Sequence, residues 1–135
     1  MWFPDNWKVN IEEGSLSASS LDDDAGVELM SLEGAGDLAA ASESCRARLA
    51  AKVRQFEESE ARRDVSLNGM SGFAFGGQGV RGGVKKTVRV VVLKAPKQYV
   101  MLLWFADRAT ANRFNATYDR IAGSIKPVRQ VATMK

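Results

Sequence analysis

This sequence contains no histidine and a single cysteine, and each shortage removes a class of chemistry. Without histidine there is no Ser-His or Cys-His nucleophile pair, and none of the usual His-containing zinc or iron sites. An enzyme here would have to run on carboxylates, lysine or tyrosine alone, although histidine is the most frequent general base, so no catalytic role is expected. Cys45 has no partner for an internal disulfide. It falls on the apolar stripe of a helical pattern, where a thiol serves as a small buried hydrophobe. No apolar run approaches the roughly 20 residues of a membrane helix. The start, MWFPDNWKV, has neither the basic residues nor the apolar stretch of a signal peptide. As written the chain is expected in the cytoplasm; an exported or periplasmic protein whose signal had been removed would read the same.

What is present is the material of one ordinary globular domain: 135 residues, 45% hydrophobic and 26% charged. The domain is expected over residues 1–127, with a C-terminal tail at 128–135. The net charge of +3 hides an asymmetry. Residues 1–45 hold one Lys against ten Asp or Glu, a balance of −9, whereas residues 46–135 hold eighteen Lys or Arg against six acids, +12. The basic residues are scattered rather than massed in one run, so the two halves are expected to lie side by side and compensate, with no nucleic-acid surface.

The chain divides by its hydrophobic periods. Trp7, Val9 and Ile11 alternate with polar residues up to a turn at Glu12-Glu13-Gly14. Leu16, Ala18 and Ser20 alternate up to Asp22-Asp23-Asp24, and Val27, Leu29 and Ser31 follow, which together predict an antiparallel meander. The three aspartates lack the spacing and the distal Glu of a calcium loop and read as a hairpin tip. Asp37 caps a predicted helix whose stripe is Leu38, Cys45, Leu49, Val53 and Phe56. Glu57, Glu58 and Glu60 then fall at its end as surface residues. Val65 and Leu67 restart a strand, Asn68-Gly69 makes a hairpin turn, and Met70–Phe75 continues beyond it. Thr87–Lys94 and Gln98–Ala106 are the next two strands, joined at Ala95-Pro96-Lys97. The second is apolar on both faces, so the sheet must be covered on both sides near its centre. Asp107 caps a last helix with the stripe Ala111, Phe114, Tyr118, Ile121 and Ile125, closed by Pro127. The fold class is therefore α+β: a three-layer α/β/α sandwich, order βββαββββα, with one helix on each face of a largely antiparallel sheet of about seven strands.

Between these strands, Gly77, Gly79 and Gly82 spell G-x-G-x-x-G, with Val84 completing a kinase-like G-x-G-x-x-G-x-V. A dinucleotide loop leads into a helix, but these glycines lead into the strand Val84-Lys85-Lys86-Thr87. A kinase loop does lie between strands, yet no His-Arg-Asp or Asp-Phe-Gly follows. Gly76–Gly83 is accordingly read as a flexible hairpin connection, with Arg81, Lys85 and Lys86 giving it a positive approach suited to an acidic partner.

Three further stretches carry a family resemblance. Phe3-Pro4-Asp5-Asn6-Trp7-Lys8-Val9 resembles the F-P-x-x-W-x-V start of the PsbP and Mog-type superfamily, and Leu67-Asn68-Gly69-Met70 resembles the opening of its central hairpins. Phe114 through Pro127 resembles its final helix. The resemblance spans residues 3 to about 127 and implies an α/β/α sandwich. Members include extrinsic subunits of photosystem II, a Ran-binding import factor, mycobacterial lipoproteins and effector-associated chaperones of type VI secretion, which implies binding of other macromolecules without catalysis. A non-catalytic protein-binding or adaptor domain is thus expected, with Trp2, Phe3, Arg81, Lys85 and Lys86 as partner contacts and with no catalytic residue, cofactor or metal. An exposed sheet edge would allow a homodimer. The alternatives are a small-ligand or lipid carrier, which requires an apolar cavity of several hundred cubic ångströms between sheet and helix, and a type VI secretion effector chaperone.

Overall fold

The structure, a computed structural model, describes residues 2–12, 15–20, 24–32, 34–109 and 111–125. Pro127 and the expected tail at 128–135 lie outside these, as do Glu13, Gly14, Asp22 and Asp23 of the two expected turns. Seven strands form one sheet: β1 (Lys8–Glu12), β2 (Ser15–Ser19), β3 (Ala25–Ser31), β4 (Arg54–Leu67), β5 (Met70–Arg81), β6 (Val84–Lys94) and β7 (Tyr99–Asp107). Helix α1 (Leu38–Lys52) lies between β3 and β4 in the chain, and α2 (Asn115–Gly123) follows β7 after a 3-10 turn at Ala111–Phe114. The strand order is β1-β2-β3-β7-β6-β5-β4, and all six pairings are antiparallel. The expected βββαββββα sandwich is what forms.

The sheet separates two cores. On one face α1 lays Ala41, Cys45 and Leu49 over Phe73, Phe75, Val88, Val90, Met101 and Leu103. On the other, α2 lays Ile121 and Ala122 over Val91, Leu102 and Trp104. Strand β7 sits between β3 and β6 and is buried at seven of its nine positions, which is why its sequence is apolar on both faces. Trp7 stacks on Trp104 at 6.1 Å and meets Phe114 edge-on at 6.4 Å, so the chain before β1 becomes part of the α2 layer.

Four local expectations are corrected. Asp37 does cap α1, accepting from the Ala40 amide at 2.8 Å, but the helix stops at Lys52 and Leu38 stays 38% exposed. Val53 turns extended and Gln55 takes a positive φ of 53°, which reverses the chain into β4. Phe56 reaches the α1 core from that strand instead, its ring 6.1 Å from Phe75. Glu57, Glu58 and Glu60 accordingly sit on a 14-residue edge strand and not at a helix end. Asp107 ends β7 and pairs with Lys86, while α2 begins after Phe114 with no side-chain cap.

The glycine stretch is the fourth correction. Gly76, Gly77 and Gly79 lie inside β5, and the connection to β6 is the two-residue turn Gly82-Gly83, with φ of +61° and +79°. The strand glycines are there for close approach. A Cβ on Gly77 would lie 2.0 Å from the Glu57 carbonyl oxygen, and one on Gly79 would lie 2.2 Å from Val53 Cγ1. The missing side chains make room for the α1–β4 connection to cross the sheet.

Candidate protein-binding edge

The five residues expected to contact a partner do not form one surface. Trp2 and Phe3 are half-buried against the α2 core. The Trp2 backbone N donates to Ser124 Oγ at 2.8 Å, and the Arg120 guanidinium lies 4.0 Å over the Trp2 ring. Both aromatics are thus fastened beside α2.

The three cations are divided by strand alternation. Val80 pairs with Lys85 and Gly79 with Lys86, so Lys85 and Lys86 point to opposite faces. Lys86 is 7% exposed and paired with Asp107, which removes it from any outer surface. Arg81 lies on the same face as Lys86, with Nη2 3.0 Å from Glu28 Oε1 and its guanidinium 4.0 Å over Phe105. Lys52 reaches the other Glu28 oxygen at 2.9 Å. Burial alone would raise the Glu28 pKa, but the hydrogen bonds and charges of Lys52 and Arg81 outweigh it and hold the carboxyl below its ordinary value. This triad ties β3, β5 and the end of α1 together and also joins the acidic and basic halves of the sequence. Lys85 remains exposed on the α2 side, beside Arg108, Gln55 and Gln78 in a cavity of about 570 Å³.

That cavity lies among β4, β5 and β6 and is lined chiefly by polar groups. A smaller one of about 260 Å³ beside Tyr118 is lined by Glu60, Arg63 and Arg89. Neither has the apolar lining that a lipid carrier needs. Burial pushes the Cys45 thiol up to about 12, in line with its expected role as a packed hydrophobe. Among the described residues no three His, Cys, Asp or Glu side chains converge to hold a metal ion.

The sheet's two edges differ sharply. β4 carries seven charged side chains among its 14 residues, and its pairing with β5 slips at three places between Arg54 and Arg63. Charges and bulges of this kind keep other strands away. β1 has neither defence at its centre. It pairs with β2 in unbroken register and is exposed along its full length, with Val9 48% and Ile11 77% exposed. Ile11 opens an apolar row that crosses the sheet through Leu16 and Leu29 to buried Leu102.

Trp7, Val9 and Ile11 alternate as the expected meander strand requires, but only Trp7 is buried. The reason is reach. A nine-residue α2 is about 14 Å long at ~1.5 Å per residue, whereas seven strands span about 29 Å at ~4.8 Å spacing. A helix that short leaves β1 exposed and β2 only partly covered.

No protein-family model matches this chain, and no curated protein does. Solved structures do resemble it. Cyanobacterial PsbP (CyanoP) from Synechocystis sp. PCC 6803 superposes with a TM-score of 0.64 at 11% identity, covering 90% of this chain and 82% of that one. The protein of unknown function PA94 from Pseudomonas aeruginosa gives 0.61 at 13% identity over 93% and 88%. LpqN, involved in cell envelope biogenesis of Mycobacterium tuberculosis, gives 0.51 at 16% identity over 89% and 77%. At such identities the likeness is one of architecture: the chain has a PsbP-like fold.

Proposed function

We propose that this chain is a non-catalytic protein-binding domain whose contact surface is the β1 edge with the apolar row it carries. The observation behind this reading is Ile11, 77% exposed and in line with Leu16 and Leu29, on a sheet face that α2 leaves uncovered. Burying an Ile side chain against a partner contributes about 1.5–3 kcal/mol, and open strand amides add directional hydrogen bonds. The partner is a protein segment that presents aliphatic side chains and a free backbone.

The test is affinity capture from the source organism's lysate with three baits: wild type, Ile11→Asp, and a triple variant with Arg81, Lys85 and Lys86 changed to Glu. Ile11 is solvent-exposed, so its substitution should leave the thermal midpoint within about 2 °C of wild type, as expected for a surface change of under ~0.5 kcal/mol. The expected result is a specific protein held by wild type and lost by Ile11→Asp. Capture that survives Ile11→Asp, or is lost only in the triple variant, would move the surface away from β1.

A further inference from the structure

We propose that β1 pairs antiparallel with β1 of a second copy of this chain, centred on Asn10, joining two seven-stranded sheets into one. The inference rests on reading β1 as the contact edge and goes on to name one partner of that edge.

Strand β1 is complementary to its own reverse. A two-fold axis through an antiparallel pair of identical strands places residues i and j opposite when their numbers share a fixed sum. Residues directly opposite one another point to the same face, so the sum must be even to keep Val9 and Ile11 on one side. With Asn10 opposite itself, β1 reads Lys8-Val9-Asn10-Ile11-Glu12 against its own reverse. Lys8 of each copy then faces Glu12 of the other, Val9 faces Ile11, and the two Asn10 amides meet. Moving the axis to Val9 or Ile11 leaves both charges without an opposite partner. Asn10 Nδ2 donates to Glu12 Oε1 at 3.2 Å within one chain, which shows these two side chains on the same side of the strand. The other edge has no comparable register, because β4 is bulged at three places.

A two-fold perpendicular to the sheet also keeps both α2 helices on one side. The row Ile11, Leu16, Leu29 of each copy is then continued by its twin through the Val9–Ile11 contacts, doubling the uncovered apolar strip. Five paired residues make a small interface, below the ~1,200 Å² of stable complexes, so the dimer should be a micromolar one.

Sedimentation velocity from about 1 to 500 µM tests this with charge variants. Wild type should pass from monomer to dimer. K8E alone and E12K alone turn two attractive pairs into two repulsive ones, and each should weaken self-association about tenfold or more. The double variant K8E/E12K restores both pairs and should dimerise like wild type. An equimolar mixture of the two single variants should dimerise better than either alone, since each K8E chain offers two carboxylates to the two ammonium groups of an E12K chain. Wild type that stays monomeric to 500 µM, or a double variant and mixture that fail to recover association, would overturn the proposal. These variants leave Ile11 in place, so the outcomes separate. Dimerisation that follows the charges while Ile11→Asp still captures the same lysate protein would sink the proposed function alone. Ile11-dependent capture by a strictly monomeric protein would sink the dimer alone.

Discussion

Gly77→Ala tests what the glycine stretch is for. The added methyl carbon would sit 2.0 Å from the Glu57 carbonyl oxygen and 2.9 Å from Glu58 Cα. Carbon atoms pack comfortably at roughly 3.5–4.0 Å, so β4 would have to retreat by more than about 1 Å. It has little freedom to do so. Glu58 pairs with Gly77 and Glu60 with Gly76, and the Val53 amide just upstream is held by the Leu49 carbonyl at the end of α1. Overpacking of this kind costs about 1–3 kcal/mol, and a disturbed ladder hydrogen bond adds about 1. Alanine's better strand entropy returns roughly 0.5–1 kcal/mol, leaving a net loss of about 2 kcal/mol.

That loss is a large part of the ~5–15 kcal/mol a domain has, yet the variant should still fold. With a urea m-value of about 1.5–2 kcal/mol/M, the unfolding midpoint should fall by roughly 1–1.3 M. Gly82→Ala is the internal control. Its φ is +61° and nothing lies within 4 Å of its missing Cβ, so the cost is the left-handed backbone alone, about 1–2 kcal/mol. Gly82→Asn should cost less still, because asparagine tolerates that conformation. If Gly77→Ala proved no more harmful than Gly82→Ala, the close-approach account of the strand glycines would be wrong.

Two further outcomes are expected. Glu28→Gln keeps the side chain's size but strips Lys52 and Arg81 of their shared carboxylate, and should cost about 2 kcal/mol at pH 7, below the ~3–5 of a fully buried pair because Lys52 is 41% exposed. Because the folded pKa is lowered, that stabilisation is complete above the ordinary value of 4.5 and disappears as pH falls through the folded value, so urea midpoints of variant and wild type should draw together as pH falls below 4.5; a gap that persists or widens in acid would contradict the triad. Asn68, at φ 52°, donates through Nδ2 to the Gly123 and Ile125 carbonyls, so Asn68→Asp should lower the thermal midpoint more than Asn68→Gly, which retains the backbone conformation without aiming a carboxylate at two carbonyl oxygens.

Most of the element order was legible because each strand and helix kept its own period. Asn68-Gly69 was legible as a hairpin turn because both residues accept positive φ, here 52° and 83°. β4 was not. Its register slips between Arg54/Glu57, Glu58/Glu60 and Glu60/Arg63, which erases the alternation by which a strand is recognised. Gln55 hid the helix end for a related reason: a non-glycine residue at φ 53° gives no sign in sequence that the chain reverses there. Gly76, Gly77 and Gly79 passed for a loop because their role depends on Val53 and Glu57, which only the folded sheet brings near. Alternation alone could have separated Lys85 from Lys86, but the burial of Lys86 required knowing that Asp107 lies opposite it in β7.

The edge was harder to read, because exposure at β1 is a property of the whole sandwich. The two faces of the sheet are finished differently. On the α1 face, beyond the reach of Ala41, Cys45 and Leu49, the rim carries Glu28 with Lys52 and Arg81, then Lys86 with Asp107. Each of these charges has an opposite partner, although Arg81 Nη1 is buried without a hydrogen bond, so that face is finished by ion pairs rather than by aliphatic side chains. On the α2 face the helix ends early, and the rim beyond it is aliphatic: Leu29 and Leu16 partly buried, then Ile11 open to solvent. Aliphatic side chains in an unbroken line gain free energy from any apolar cover, at about 25 cal/mol per Å² removed from water. Among the described residues β1 has no strand on its outer side, which makes a backbone ladder available alongside the apolar row. An incoming strand can satisfy both at once, and β4, charged and bulged at the opposite edge, can offer neither. The asymmetry of cover is therefore the feature on which the proposed β1 contact rests.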